Sequence, residues 1–125
     1  MINPGNLKYH EAHTWLKVEP DGSYIVGITA HAQEQLGDIV YVQPPEIGGS
    51  VKMGEPCGVI ESVKTAADVH APASGTVMAI NPLLADAPES VNTDPYGAWL
   101  FRMTLSHPAE LTALLDVAAY EQALD

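Results

Sequence analysis

Basic residues are scarce in this chain. Its 125 residues include 5 Lys and Arg against 16 Asp and Glu, which gives a formal net charge of −11 at pH 7. Nucleic-acid binding depends on neutralising phosphates with Lys and Arg, and anionic membranes attract basic segments for the same reason. We therefore expect neither nucleic acid nor a membrane among the partners, whereas an acidic field steers a protein toward basic partner surfaces.

Cysteine and long apolar runs are also nearly absent. Cys57 is the only cysteine, so no disulfide can form within the chain, and a secreted fold held by disulfides is excluded. Cys57 lies in an apolar run and is expected to be a small core residue rather than a nucleophile. No stretch approaches the roughly 18 apolar residues of a membrane span, and the first residues lack a signal-peptide pattern. A cytoplasmic location is therefore expected.

The sequence lacks the motifs of common enzymes and metal sites. It contains no GxSxG, P-loop or GxGxxG motif. The five histidines include no pair at the i, i+4 spacing of a helical zinc site with a carboxylate between them. His10 and His13 could act as an acid and a base, but such residues near a chain start are usually solvent-exposed. We predict neither a catalytic site nor a metal site.

Short apolar or alternating runs, separated by Gly, Pro and Asn, make up most of the chain. They predict strands at Ser23–Thr29, Asp38–Gln43, Cys57–Ser62, Ala67–Ala71, Gly75–Ile80 and Trp99–Met103. Such strands favour a mainly β fold, a flattened barrel or sandwich of antiparallel sheets. The length is close to that of one domain, so residues 1–125 are interpreted as a single domain.

Turns and short helices are predicted to join these strands. Pro20 to Gly22 marks a tight turn, because Pro fixes φ and Gly accepts positive φ. A short helix over "GITAHAQEQLGD" begins after a Thr29 cap and ends at Gly37. Asn81–Gly97 is rich in turn formers, which predicts a long surface connection. After a predicted cap at Ser106, one or two C-terminal helices are expected to close over the sheets.

Lys64 lies between two of the predicted strands, in "ESVKTAADV". Apolar residues on both sides suit an antiparallel pair, which would hold the lysine at the tip of a hairpin. A lysine at a turn is usually no more than a solvated charge. A rigid, protruding loop, however, is what a modifying enzyme needs in order to reach an ε-amine, and the lysine stem suits a longer covalent arm.

Several separated motifs resemble those of the glycine cleavage H-protein family, whose members carry lipoate. These motifs are GITAHAQEQLGDIVYVQPPEIGGSV, ESVKTAADVHAPASGTV, NPLLADAPESVNTDPYGAWL and LLDVAAYEQAL, in the family's order. The resemblance runs from about Leu7 to the last predicted helix. It implies a non-catalytic lipoyl-carrier domain. A monomer is expected, because nothing in the sequence suggests a large exposed apolar face.

The resemblance also implies where the cofactor is attached. Lys64 matches the lysine that carries lipoic acid in amide linkage, which removes its charge, and the dithiolane then supplies the reactive sulfurs. Glu61, Ser62 and Val63 complete the recognition motif before the lysine. Asp68 matches a family position that contacts the loaded amine, with an ordinary turn-flanking carboxylate as the alternative.

The same resemblance implies a set of partner enzymes. A lipoate ligase or lipoyl transferase would attach the cofactor. A glycine decarboxylase would load an aminomethyl group onto one sulfur, an aminomethyltransferase would remove it, and a dihydrolipoamide dehydrogenase would reoxidise the dithiol. Tethering on a swinging arm keeps the reactive group at a high local concentration for any docked partner.

The sequence departs from the family pattern near its beginning. The family motif HEW reads HTW here, so Thr14 replaces a glutamate that would pair with the charged aminomethyl group. Ala12 and Gln35 stand where some members have a serine and a histidine that help to hold the arm. His70 occupies a position that is more often tyrosine or asparagine.

These departures leave two alternatives to a glycine-cleavage carrier. Within the family, H-like lipoate-binding proteins serve a heterodisulfide-reductase-like complex in sulfur oxidation and carry sulfur on the dithiol. Thr14 favours that hypothesis, because a sulfur cargo has no ammonium group to neutralise. The other alternative is an unmodified interaction module with an H-like fold.

Overall fold

The computed structural model describes residues 3–124, and these residues form two antiparallel sheets. The strands are β1 (Lys8–His10), β2 (Thr14–Val18), β3 (Tyr24–Ile28), β4 (Ile39–Gln43), β5 (Ser50–Val51), β6 (Pro56–Ser62), β7 (Ala66–His70), β8 (Gly75–Ile80) and β9 (Phe101–Leu105). The larger sheet has the strand order β1-β2-β3-β9-β8-β5, and the smaller has β4-β6-β7. The predicted mainly β fold is thereby confirmed.

The helices are short and lie between or after the strands. They are α1 (Ala30–Leu36), α2 (Leu83–Asp86), α3 (Ser90–Thr93), a 3-10 helix (Pro108–Ala113) and α4 (Val117–Leu124). None of the helices in the described part of the chain is long and apolar enough to cross a membrane.

One hydrophobic core lies between the two sheets. Val26 of the larger sheet and Ile60 and Val69 of the smaller sheet belong to the same cluster of buried side chains. A second cluster, which includes Tyr9 and Trp15, is covered by Tyr120 of α4, whose ring stacks on Tyr9 at a centroid distance of 4.7 Å. The prediction that a C-terminal helix closes over a sheet is correct.

The sequence pattern did not predict β1, β2 or β5. In β2, three consecutive residues are buried, because Trp15 packs into the cluster under α4 while Leu16 packs into the core between the sheets. A strand that is covered on both faces shows no alternation of apolar and polar residues. β1 and β5 are only 3 and 2 residues long, which is too short to produce a periodic pattern.

Asn81–Gly97 connects β8 to β9, as the sequence predicts, and most of its residues are not buried, but the prediction missed two short helices. The segment contains α2 and α3, and it anchors itself in the core through Leu84, which is 4% exposed, and Val91, which is fully buried. Each helix has 4 residues, so neither can show the 3.6-residue period from which helices are predicted.

Three of the predicted helix ends, at Thr29, Gly37 and Ser106, can be compared with the structure. The Thr29 side chain accepts the Ala32 N–H at 3.3 Å, and Gly37 follows the last residue of α1 with a φ of 78°. Both features agree with the prediction. The predicted cap at Ser106 is wrong, because the 3-10 helix begins at Pro108 after His107, which makes no side-chain capping bond.

Candidate functional site

Lys64 lies at the tip of the hairpin formed by β6 and β7, as the sequence pattern predicts. Ser62 closes the turn: its N–H donates to the Thr65 carbonyl at 2.7 Å, and its hydroxyl oxygen accepts the Thr65 N–H at 3.2 Å. Glu61, Val63 and Lys64 are exposed to solvent. The turn is therefore held by short local contacts, while its neighbouring side chains are available to other molecules.

The lysine side chain extends over the loop that follows α1. A β-carbon at Gly37 would lie 3.5 Å from Lys64 Cε and 3.9 Å from Nζ, and the positive φ of Gly37 further disfavours any side chain there. No salt bridge within residues 3–124 involves Lys64. Its amine is exposed and is not engaged by a carboxylate.

A cavity of about 400 Å³ opens beside this hairpin. Its wall includes Thr65, the residue directly after Lys64, and continues along β7 to β2 and α1. The residues that the family resemblance relates to the cofactor arm or its cargo line this one cavity: Ala12, Thr14, Gln35, Asp68 and His70. Glu61, Ser62 and Val63 lie outside its lining, on the hairpin itself.

Thr14, a residue of the cavity wall, has a buried hydroxyl that forms no hydrogen bond within the described residues. The residue is 1% exposed, and Oγ1 is the one buried side-chain polar atom in the described residues that has no hydrogen bond. An unsatisfied buried hydroxyl costs about 1–3 kcal/mol, so each such group calls for an explanation. Thr14 is one of the residues that line the cavity, although its hydroxyl has almost no exposed surface of its own.

His13 was expected to be solvent-exposed, but the structure places it half-buried in the cavity wall. Its φ is 69°, and its Nδ1 lies 2.8 Å from the Tyr120 hydroxyl, which in turn lies 2.8 Å from Thr29 Oγ1. The ring also lies against that of His31, with centroids 4.5 Å apart. No local sequence signal indicates this arrangement, because Tyr120 comes from the opposite end of the chain.

Burial lowers the pKa of two histidines, of which His13 lines the cavity. Desolvation is the main cause for both His10 and His13; the neighbouring His31 lowers the pKa of His13 further, whereas Glu11 partly opposes the shift at His10. The folded protein therefore favours the neutral imidazoles.

We expect the free energy of unfolding to decrease as the pH falls below about 6.5, the ordinary pKa of histidine. The unfolded chain takes up protons at a higher pH than folded His10 and His13 do, so acid favours unfolding. The contribution of these two histidines to the free energy of unfolding is fully present above that pH. Thermal unfolding at about pH 7.5 and about pH 5.5 measures the change. His13→Asn, which tolerates a positive φ, should show a smaller difference; an equal difference would contradict the assignment.

Cys57 packs against the core between the sheets. It is partly buried, and burial raises the pKa of its thiol to about 11. A thiol with a raised pKa is a poor nucleophile at neutral pH, which agrees with a packing role.

Comparison with known proteins identifies the family. The model of the glycine cleavage H-protein family matches residues 7–125. The chain belongs to the glycine cleavage H-protein family. It is 52% identical over 123 residues to the glycine cleavage system H protein of Shigella dysenteriae serotype 1, covering 98% of this chain and 95% of that protein. It is 51% identical over 122 residues to H protein 2 of Pseudomonas aeruginosa, with the same coverage of 98% and 95%.

A solved structure supports the same assignment. The crystal structure of a glycine cleavage system H protein from Mycobacterium marinum superposes with a TM-score of 0.84 at 40% identity, and the match covers 96% of this chain and 97% of that one. The predicted lipoyl-carrier function within this family is confirmed. The relatives named above are all glycine cleavage proteins, so the sulfur-oxidation alternative is not favoured.

Proposed function

We propose that this H-family protein is a non-catalytic carrier with lipoate bound in amide linkage to Lys64. The observation that carries the proposal is an exposed lysine at the tip of a closed turn, directly beside a cavity, whose amine forms no salt bridge with any other residue between 3 and 124. Acylation needs an accessible amine, and the rigid hairpin presents it. Once bound, the dithiolane supplies the reactive sulfurs.

The residues around the hairpin fit such a group. The cavity starts at Thr65, next to the attachment point, and its lining includes Thr14, whose hydroxyl has no hydrogen-bond partner within the described residues. Asp68 is the one carboxylate among the lining residues. We propose that this cavity receives the far end of the arm, that Asp68 attracts the positive charge of an aminomethyl group, and that Thr14 accepts a hydrogen bond from it.

The proposed partners follow from the family. Glycine decarboxylase loads the aminomethyl group and aminomethyltransferase removes it. A dihydrolipoamide dehydrogenase reoxidises the dithiol, and a lipoate ligase or lipoyl transferase attaches the cofactor. With a net charge of −11, the surface favours docking to basic patches on these enzymes. We propose that the carrier works as a monomer.

Intact mass spectrometry tests the attachment site. Protein incubated with lipoate, ATP and a lipoate ligase should gain one lipoyl group, and peptide mapping should assign it to Lys64. Lys52 is the internal control, because it is also an exposed lysine next to a strand. No adduct, or an adduct on Lys52, would contradict the proposal and favour an unmodified interaction module.

A further inference from the structure

Asn92 lies in α3, far from Lys64 in the sequence, but its side chain contacts the loop beneath the lysine. Its Oδ1 accepts the Ile39 N–H at 2.8 Å, and its Nδ2 donates to the Gly37 carbonyl at 2.7 Å. Val91, the preceding residue, is fully buried and anchors α3 in the core. The amide of Asn92 therefore holds both ends of the loop Gly37–Ile39 at a fixed place relative to the core.

The loop Gly37–Ile39 in turn supports the lysine turn. The Val63 N–H donates to the Asp38 carbonyl at 3.0 Å, and Ile39 pairs with Ser62 in the small sheet. The Lys64 stem lies over Gly37, since a β-carbon there would be 3.5 Å from Lys64 Cε. A continuous series of contacts thus leads from Asn92 through the loop to Ser62 and Val63, the two residues before the lysine.

The local turn bonds cannot replace this support. The bonds between Ser62 and Thr65 determine the shape of the turn, but they do not determine where the turn lies relative to the rest of the protein. The hairpin of β6 and β7 makes up two of the three strands of the small sheet, and the loop leads into the third, β4, which is one of its two edge strands. The position of the hairpin tip depends on the loop that Asn92 holds.

We propose that Asn92 is a positioning residue that fixes the Lys64 turn for the enzyme that acylates it. The inference rests on the proposed attachment of lipoate to Lys64. An acylating enzyme must bring an activated acyl group within bonding distance of Nζ, and a mobile target is in the competent position for only part of the time. The apparent affinity falls in proportion to that fraction. Asn92 therefore affects KM for the carrier more than kcat.

The test compares Asn92→Ala with a matched variant, Asn81→Ala. Asn81 is also partly buried, and its amide also makes two bonds to backbone: Nδ2 donates to the Trp99 carbonyl at 2.9 Å, and Oδ1 accepts the Leu83 N–H at 3.2 Å. Its contacts do not lead to the hairpin. A general loss of stability should affect both variants, whereas a positioning effect should appear only at Asn92.

We expect Asn92→Ala to raise KM in ligase-catalysed lipoylation about fivefold with little change in kcat. The variant loses the net contribution of a hydrogen bond, about 1 kcal/mol, to the turn conformation that the ligase binds. The Val63 amide should exchange with solvent faster. Asn81→Ala should leave both quantities unchanged. If Asn92→Ala does not fold, Asn92→Asp is measured instead: it keeps the acceptor for the Ile39 N–H but loses the donor to the Gly37 carbonyl.

The outcomes separate the inference from the proposed function. Wild-type protein that gains no lipoyl group on Lys64 overturns the proposed function. The positioning role alone is overturned if the wild type is lipoylated normally but the Asn92 and Asn81 variants do not differ. In that case the two variants have equal KM values and equal exchange rates of the Val63 amide. A raised KM with faster Val63 exchange at Asn92 only supports it.

Discussion

Lys64→Arg is expected to abolish lipoylation and, with it, all carrier activity. A guanidinium group keeps the positive charge and a long stem but stays protonated and is not acylated under the conditions that modify an amine. Intact mass should show no lipoyl adduct. Exchange of labelled bicarbonate into glycine in the presence of glycine decarboxylase should fall to the level without carrier. An adduct that persists in this variant would place the attachment site elsewhere.

The same substitution should leave the fold intact. Lys64 is exposed at a turn and takes part in no salt bridge within the described residues, so the free energy of unfolding should change by less than about 0.5 kcal/mol. Thermal unfolding checks this directly. Lys52→Arg is the matched control and should retain both the adduct and the exchange activity. A large drop in melting temperature of Lys64→Arg would mean that the lysine has a structural role.

Thr14→Glu is expected to lengthen the lifetime of the aminomethyl-loaded carrier. Thr14 lines the cavity near Asp68, where a carboxylate could form a charge-assisted hydrogen bond with the ammonium of the cargo. Such bonds contribute about 1.5–3 kcal/mol, and 1.4 kcal/mol corresponds to about tenfold, so the lifetime should increase about tenfold or more. Intact mass of the loaded protein, followed over time after removal of the decarboxylase, measures the decay.

The unloaded Thr14→Glu protein should be less stable, because the described lining of the cavity includes no Lys or Arg to pair with a buried carboxylate. Thr14→Val is the control. It removes the unsatisfied hydroxyl at nearly constant side-chain volume, so the free energy of unfolding should rise by about 1 kcal/mol. The lifetime of the aminomethyl-loaded carrier should not increase in this variant. An equal lifetime in wild type and Thr14→Glu would show that the missing carboxylate does not control retention of the cargo.

The local parts of the fold could be predicted from the sequence. α1 begins after Thr29 and ends at Gly37 because a capping hydroxyl and a glycine at positive φ act within one or two turns of chain. The hairpin that carries Lys64 likewise depends on residues close in sequence. By contrast, β2 and the helices within residues 81–97 were missed, because burial on both faces and very short helices leave no periodic pattern.

The candidate site was predictable only in part. The family resemblance named some of the residues that line the cavity, Ala12, Thr14, Gln35, Asp68 and His70. It gave no measure of their separation and no indication that the Thr14 hydroxyl is unpaired. His13 was expected to be solvent-exposed, and Asn92 was not identified as a site residue. Their roles depend on hydrogen bonds to Tyr120 and to the Gly37–Ile39 loop, which are contacts between distant parts of the chain.

The sequence by itself determined the family, the mainly β class and the hairpin that presents Lys64, because these follow from motifs and from contacts between near neighbours. The tertiary structure alone decided which residues face the cavity, which hydroxyl lacks a partner, and what supports the lysine turn. These properties arise when β2, α1, α3 and β7 pack together, and the packing brings together groups that no local pattern relates.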